Sequence, residues 1–329
     1  MEPMRVCFSH RTAFQMVRAI DAREFAEARG AAQRLPDRAP SRGDLERAIE
    51  HIEGDHPGLS MDRPVHILLA TASRCRSASH RVPHVCTQRM RGKPLLRLPG
   101  GIGVCSAPLA CVQMAPSTRG KIDLLELAYE VCGTYRTRRT SAAPAYQVPP
   151  LASVRALRDF ISLNPSIRGA RSMARILPYA VDGSASPRET KQALVLGLPT
   201  SYGGQGVGIP RMNYEVKASA AAHAISGKGS FRCDLCWPEA KLDVEYQSRE
   251  MHEGETSRIM DSRRANALMA MGWTVIGITN DELDSLVATD AIAQTIRRCL
   301  GKRVQVRVSD YHARKLRLRR QLGLPVGYD

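Results

Sequence analysis

Length, composition and charge exclude several protein classes before any motif is considered. The chain has 329 residues, which is enough for two domains. A content of 43% hydrophobic and 24% charged residues excludes a collagenous or wholly disordered chain. Forty-eight Lys and Arg against 32 Asp and Glu give a net charge of +16, which favours nucleic acid as the leading partner class. A basic surface without a specific ligand is the alternative.

The apolar stretches and the cysteines bear on where the protein acts. No apolar run approaches the roughly 20 residues that a membrane helix needs, and the N-terminal residues do not form an apolar signal segment. Nine cysteines, an odd number scattered along the chain, fit reduced thiols rather than a disulfide scaffold. We therefore expect a cytoplasmic protein without membrane contact, and the sequence leaves its oligomeric state open.

The first half of the chain has the pattern of a small mixed α/β domain. Ser9 is placed to cap a helix that continues to Ile20, and apolar runs at 65–70 and 101–105 predict buried strands. Apolar residues at helical spacing predict a further helix over 122–132. Residues 138–150 collect proline and serine with little hydrophobic pattern, which predicts a linker between a domain at 1–137 and a second domain.

The second half predicts a mixed sheet flanked by helices. After helices at 154–161 and 167–179, another helix opens at Pro187, a residue suited to the first helical position. Strands are predicted at 212–218, 231–236, 242–247 and 273–279, with a helix at 255–271 before the last of them. This order gives an αβββαβ domain over 151–301, followed by a basic C-terminal tail at 302–329.

Acidic residues on two neighbouring strands are the candidates for chemistry. Side chains alternate along a strand, so Glu245 and Gln247 share one face, and hairpin pairing brings Asp234 beside Glu245. Adjacent carboxylates repel unless they share a divalent cation, and oxygen ligands are what Mg²⁺ prefers. The pattern therefore predicts a metal site on this hairpin.

Several segments, in this order, resemble the PD-(D/E)XK nuclease superfamily and, within it, domains related to very-short-patch-repair endonucleases. The matching pieces are SASPRE at 184–189, RCDLCWP at 232–238, Val244-Glu245-Tyr246, His252, and Arg264 with Gly272-Trp273-Thr274-Val275. The resemblance implies a restriction-endonuclease-like fold. It also implies that Asp234 is the motif aspartate, Glu245 the acid of the next strand, and Glu189 an auxiliary acid, with His252 beside them.

By this resemblance the chain is a metal-dependent endonuclease-like phosphodiesterase that acts on DNA in repair or phage defence. Mg²⁺ or Mn²⁺ would be held by Glu189, Asp234 and Glu245, and Gln247 and His252 would assist. The cation would polarise the scissile phosphate and lower the pKa of a bound water. Candidate contacts to DNA phosphates are Arg232, Arg263 and Arg264 near the site, and Arg317, Arg319 and Arg320 in the basic tail.

Two features favour a non-catalytic alternative. Gln247 stands where the superfamily has lysine, and glutamine cannot act as a general base, although its amide can orient a water or a phosphate oxygen. The first half, including FSHRTA at 8–13 and residues 124–135, is similar to the region that precedes such domains in proteins near the AbiEi antitoxin group. A degenerate, DNA-binding or antitoxin-like module with a toxin or defence-system partner is therefore the competing hypothesis.

Simpler interpretations compete for individual residues. Glu189 lies three positions after Ser186 and fits a capping box, with or without a second role. Asp234 and Glu245 fit solvated carboxylates on an exposed hairpin, and His252 fits a surface histidine. Zinc ligation is a weaker alternative for two groups, namely Cys233 with Cys236, and Cys75, His80, His84 and Cys86.

Overall fold

The computed structural model describes residues 2–27, 34–72, 77–141, 143–247 and 255–327. It divides into two compact units, residues 1–178 and 179–329. Both combine helices and sheets, so the predicted mixed α/β class is confirmed. None of the helices in the described ranges combines the length and apolar character needed to cross a bilayer.

A six-stranded mixed sheet organises the first unit. Its strands are β1 (Val6–Phe8), β2 (Ala26–Glu27), β3 (Val65–Leu69), β4 (Arg81–Val85), β5 (Leu95–Leu98) and β6 (Ile102–Cys105), and a separate pair is formed by β7 (Tyr135–Arg136) and β8 (Ala145–Tyr146). The order in the sheet is β2-β5-β6-β1-β3-β4, with β1 parallel to β6 and β3 parallel to β4. The short central strand β1 is fully buried, which places the core of this unit around it.

Helices cover this sheet and form the rest of the first unit. They are α1 (His10–Ala19), α2 (Arg42–Asp55), α3 (Ala107–Met114), α4 (Lys121–Val131), α5 (Val154–Leu163) and α6 (Ala170–Ile176). The apolar face predicted for 122–132 is buried in α4. Ser9 stands at the N-cap of α1, but its side chain makes no capping hydrogen bond, contrary to expectation.

The linker predicted at 138–150 is instead integrated into the first unit. Buried Glu130 on α4 accepts hydrogen bonds from the Thr137 N–H, at 2.7 Å, and from the Thr140 hydroxyl. Helices α5 and α6 pack on α3 and α4, so the division between units lies after residue 178. A buried carboxylate needs hydrogen-bond donors, and a polar segment wrapped around α4 supplies them.

The second unit is built on a four-stranded sheet. Its strands are β9 (Arg211–Lys217), β10 (Ser230–Trp237), β11 (Leu242–Gln247) and β12 (Thr274–Thr279), and its helices are α7 (Pro187–Gly197), α8 (Ala220–Ser226), α9 (Glu255–Ala270), α10 (Asn280–Asp284), α11 (Leu286–Cys299) and α12 (Tyr311–Gln321). The strand order is β12-β11-β10-β9; β11 and β12 are parallel and the other pairs antiparallel. The predicted αβββαβ order is present, with α8 added between β9 and β10.

The residues predicted to form a basic tail are docked on the second unit through α12. Leu318, Leu322 and Leu324 are buried. The Tyr311 hydroxyl donates to the carbonyl of Gly204 at 3.0 Å, and Lys315 pairs with Asp290. The apolar leucines at helical spacing explain the docking, because they need a surface to cover them.

Arg319 is part of this docking, and its prediction as a DNA contact is wrong. Its side chain is 2% exposed, and its guanidinium donates to the carbonyls of Pro325, at 2.7 Å, and Leu283, at 2.9 Å, and to that of Asp284. Arg317 and Arg320 are exposed on the same helix. The register of the helix therefore separates the three arginines that the sequence grouped together.

We predict that Arg319→Ala lowers the free energy of unfolding of the second unit by about 2–4 kcal/mol, because it leaves buried carbonyls unsatisfied. Both tryptophans of the chain, Trp237 and Trp273, lie in this unit. Urea unfolding followed by their fluorescence measures the change. Arg320→Ala, at the exposed neighbouring position, is the control and should change stability by less than about 0.5 kcal/mol. Equal effects of the two substitutions would contradict the docking role.

Candidate functional site

The candidate site lies where strands β10 and β11 stop pairing regularly. Their ladder joins Leu235 to Val244 and continues to Trp237 opposite Leu242. At the next position the carboxylate of Asp234 accepts the Tyr246 N–H, at 2.9 Å. On its other side β10 pairs with β9, and that ladder is interrupted at the same position, because Asp234 and Asn213 are not paired. Asn213 has a left-handed φ of 48°. The irregular backbone gives the acidic side chains room between the strands.

This irregularity changes which residues of β10 share a face. Strict alternation would place Arg232, Asp234 and Cys236 together. In the structure Cys236 instead packs with Phe231 and Cys233 in the core cluster beneath α8 and α9. The expected alternation is therefore wrong beyond Asp234, while the expected proximity of Asp234 to Glu245 is found: the charge of Glu245 acts on the Asp234 carboxyl.

Glu189 is held rigidly at the start of α7. Its carboxylate accepts hydrogen bonds from the Ala185 N–H at 3.0 Å, the Ser186 hydroxyl at 3.0 Å and the Asn213 side-chain amide at 2.8 Å. The Ser186 hydroxyl in turn accepts the Glu189 N–H at 3.1 Å, so Ser186 caps the helix. The predicted capping box is incomplete, because the Glu189 carboxylate accepts from the Ala185 N–H instead of the Ser186 N–H. The Asn213 contact and the charge of Asp234 show that the same carboxylate also faces the site.

Burial and neighbouring charge raise the pKa of the carboxyl groups of the site, of which Glu189 is buried and Asp234 and Glu245 are half-buried. Burial and the charge of Asp234 raise the pKa of Glu189 to about 6. Burial and the charge of Glu245 raise the pKa of Asp234 to about 7. Glu245, which also faces Asp243, has its pKa raised to about 8. These carboxyl groups are therefore partly protonated near neutral pH, and an added positive charge would stabilise their ionised forms.

Asp243 is a site residue that the motif reasoning missed. It is fully buried, its pKa is raised to about 8 by burial, and its Oδ1 has no hydrogen-bond partner among the described residues. Alternation along β11 could have found it, because it lies two positions before Glu245 on the same face. Asn213 carried no comparable signal, since its role depends on the local backbone.

Arg264 lies inside the site instead of on a DNA-facing surface. Its guanidinium pairs with Glu245, lies 3.5 Å from the Asp243 carboxylate, and donates to the carbonyl of Arg232 at 2.6 Å. It therefore compensates part of the carboxylate charge. Arg232 and Arg263 are exposed, and the charge of Arg232 acts on Asp234.

Gln247 and His252 complete the predicted set. Gln247 is exposed at the end of β11, and its side chain lies over Gly277, where an added Cβ would meet the amide nitrogen at 2.6 Å. Gly277 is the β12 residue paired with Glu245, so the amide lies next to the acidic group. His252 falls outside the described residues.

The donor atoms suit a cation, with one difference from the predicted ligand set. Cys233, Asp243 and Glu245 have ligand atoms within 4.8 Å of one another, whereas Asp234 and Glu189 lie outside that group. The pKa of the Cys233 thiol is raised by its neighbour Cys236 and by burial, so the thiol stays protonated and is a poor ligand. The remaining donors are carboxylate oxygens, including the unpartnered Asp243 Oδ1, and they fit a hard divalent ion.

Comparison with known proteins gives relatives but no function. The chain is 29% identical over 119 residues to two proteins of Mycobacterium tuberculosis, from strains CDC 1551 and H37Rv, both named as uncharacterized. Each match covers 35% of this chain and 38% of the relative. No family model and no solved structure matches the chain.

We predict that Asp234→Asn reduces the pH dependence of stability in the presence of a chelator. The folded-state pKa of Asp234, about 7, lies above that of an unfolded aspartate. Its contribution to stability is therefore complete below about pH 4 and is lost as the pH rises through 7. The variant should exceed the wild type in stability at pH 8 by on the order of 2 kcal/mol, and this advantage should vanish near pH 4.

Urea unfolding at several pH values, followed by tryptophan fluorescence, measures this difference. Glu239→Gln is the matched control, because the Glu239 side chain is 74% exposed and should leave the pH profile unchanged. Parallel pH profiles for wild type and Asp234→Asn would contradict the assigned burial and charge coupling.

Proposed function

We propose that the second unit is a metal-dependent phosphodiesterase of the endonuclease type that acts on DNA. The observation that carries the proposal is that the charge of Asp234 acts on Glu189 and the charge of Glu245 acts on Asp234, on an αβββαβ scaffold. Buried carboxyl groups with raised pKa values are typical of functional sites. The net charge of +16 adds a general attraction for a polyanion.

Mg²⁺ or Mn²⁺ is the proposed cofactor, with Glu189, Asp234 and Glu245 as the ligands that the resemblance implies; Glu245 already lies within 4.8 Å of another oxygen donor, Asp243, whereas Glu189 and Asp234 would have to move closer to share the ion. A bound divalent ion of this kind polarises a phosphoryl oxygen and lowers the pKa of a coordinated water. Glu245 pairs with Arg264, so binding requires the carboxylate to loosen that pair. Asp243, two residues away on the same strand, is an additional oxygen donor.

The protein residues have separate tasks in this proposal. Asp234 would hold the cation together with the neighbouring acids, and the charge of the cation would favour its ionised carboxylate. Asn213 and Ser186 hold the Glu189 carboxylate in one orientation. The Gln247 amide orients water or a phosphate oxygen beside Glu245. Exposed Arg232 and Arg263 contact the DNA backbone, which positions the duplex without reading its sequence.

A non-cutting DNA-binding module is the second candidate, and two observations favour it. Arg264 already compensates Glu245 from within the protein, and Gln247 supplies neither a charge nor a base. In such a module the same fold would bind DNA and the first unit would bind a regulatory or toxin partner. The cytoplasm is the proposed location of either activity, since the cysteines that the structure describes are free thiols.

We predict that the full-length protein cleaves DNA in the presence of Mg²⁺ or Mn²⁺, and that Asp234→Asn and Glu245→Gln each reduce the rate at least about 100-fold, because they remove metal-binding charge. Cleavage of supercoiled and linear DNA at fixed salt is the measurement. Glu239→Gln is the control and should retain the wild-type rate, because the Glu239 side chain is exposed and is not one of the proposed ligands.

The same assay separates the two candidates. Binding of DNA without cleavage by any metal or substrate form would reject the enzyme and favour the binding module. Cleavage that survives both site substitutions would show that the activity belongs to another site or to a contaminant.

A further inference from the structure

Three histidines from separate elements meet in the first unit, whereas the carboxylates discussed above belong to the second. His10 lies at the start of α1, His66 on β3 and His84 on β4. The His10 and His84 rings stack with centroids 3.5 Å apart, and those of His66 and His84 are 5.1 Å apart. One ring nitrogen of each histidine lies within 4.8 Å of the other two.

The cluster borders a cavity of about 490 Å³ that gives it access to solvent. In the described part of the chain, none of the cavity-lining residues is acidic, and Arg11 and Arg168 are among them. Protonated imidazoles would therefore lie near other cations; the Arg11 guanidinium is paired with Asp62, which does not line the cavity. Burial, and to a smaller extent the neighbouring positive charges, lower the pKa of His10 to about 2 and that of His84 to about 4. Neutral imidazoles are the form that coordinates a metal ion.

A neighbouring hydroxyl orients the His10 ring. The Ser9 hydroxyl lies 3.0 Å from Nδ1 of His10, which leaves Nε2 of that ring for a ligand. This contact replaces the helix cap that the sequence predicted for Ser9. His10 adopts a left-handed φ of 51°, a conformation that costs energy for a residue with a side chain and is concentrated at functional sites.

The spacing of the His66 and His84 nitrogens indicates where an ion would bind. Nδ1 of His66 and Nε2 of His84 lie 2.8 Å apart, a distance that fits one N–H···N hydrogen bond. In a tetrahedral zinc site, Zn–N bonds of about 2.0–2.1 Å place such nitrogens slightly farther apart. The three rings lie within 24° of parallel, so convergence on one ion requires the His84 ring to turn about its Cβ–Cγ bond. That torsion is broad for histidine.

We propose that His10, His66 and His84 form a binding site for a zinc-class transition-metal ion, with the fourth coordination position open to the cavity. Three nitrogen ligands select such an ion over the hard Mg²⁺ proposed for the second unit. Three protein ligands and one open position are typical of zinc sites that bind a water or a substrate. Of the group that the sequence offered around His84, Cys75 lies outside the described residues; the structure brings His84 together with His10 and His66.

The direct test is titration of untagged, full-length protein with Zn²⁺ after removal of metals by a chelator. With Mg²⁺ present in excess to occupy the carboxylate site proposed for the second unit, we expect one equivalent of Zn²⁺ to bind, and His84→Ala and His10→Ala each to weaken that binding by at least about 100-fold, beyond the loss typical of an outer contact. His51→Ala is the control, because its side chain is 64% exposed on α2 and should leave binding unchanged.

Cobalt absorption spectroscopy of the wild type provides a second readout that does not depend on a variant folding. Co²⁺ should give the visible bands of a tetrahedral or five-coordinate site without a thiolate charge-transfer band, since the proposed ligands are nitrogens. A strong thiolate band would assign the metal to cysteines and overturn the proposal. Failure of the wild type to bind Zn²⁺, or equal binding by folded His84→Ala, would overturn it as well.

Discussion

The second unit is organised around the cost of burying several carboxyl groups in one place. Each loses hydration, and each disfavours ionisation of the next, so Glu189, Asp234 and Glu245 all have raised pKa values. The guanidinium of Arg264, which pairs with Glu245, and the charge of Arg232, which acts on Asp234, compensate only part of this charge. Such an arrangement lowers stability unless another cation binds, and proteins keep it where the cation or the proton has a function.

The scaffold meets this cost with directed hydrogen bonds and an irregular sheet. Asp234 takes a backbone N–H of β11 that a regular ladder would have used. Glu189 is bonded by three donors at the beginning of α7. These contacts orient the Glu189 and Asp234 carboxylates, whereas Glu245 has to leave Arg264 before it can bind a cation. They also explain why the sheet departs from regular pairing at Asp234 and Asn213.

The sequence predicted much of this unit because its signals were local. Period-two alternation located β10 and β11, and Gly272 marked the end of the helix before β12. Capping chemistry placed the start of α7. What the sequence could not predict depended on tertiary contacts. The burial of Arg319 follows from how α12 docks, and the pairing of Arg264 with Glu245 follows from how α9 packs on the sheet. The prediction of a linker at 138–150 was wrong because Thr137 and Thr140 donate hydrogen bonds to the buried Glu130 carboxylate, a contact that local composition does not reveal.

The two units offer different donor chemistry. Carboxylate oxygens in the second unit suit a hard ion, whereas imidazole nitrogens in the first suit a softer one, so the two proposals are independent. The histidine cluster had no sequence signal, because His10, His66 and His84 are separated by tens of residues and meet only through the packing of α1 on β3 and the pairing of β3 with β4.

The central claim is that the carboxylates of the second unit hold a divalent cation. Anomalous X-ray diffraction from crystals grown with Mn²⁺ tests it most directly, because it locates the ion among its ligands. We predict a peak about 2.2 Å from carboxylate oxygens of Glu189, Asp234 and Glu245, with the Arg264 guanidinium moved away from Glu245. A fully occupied Arg264–Glu245 pair and no peak at this site, in crystals that contain Mn²⁺, would contradict the account.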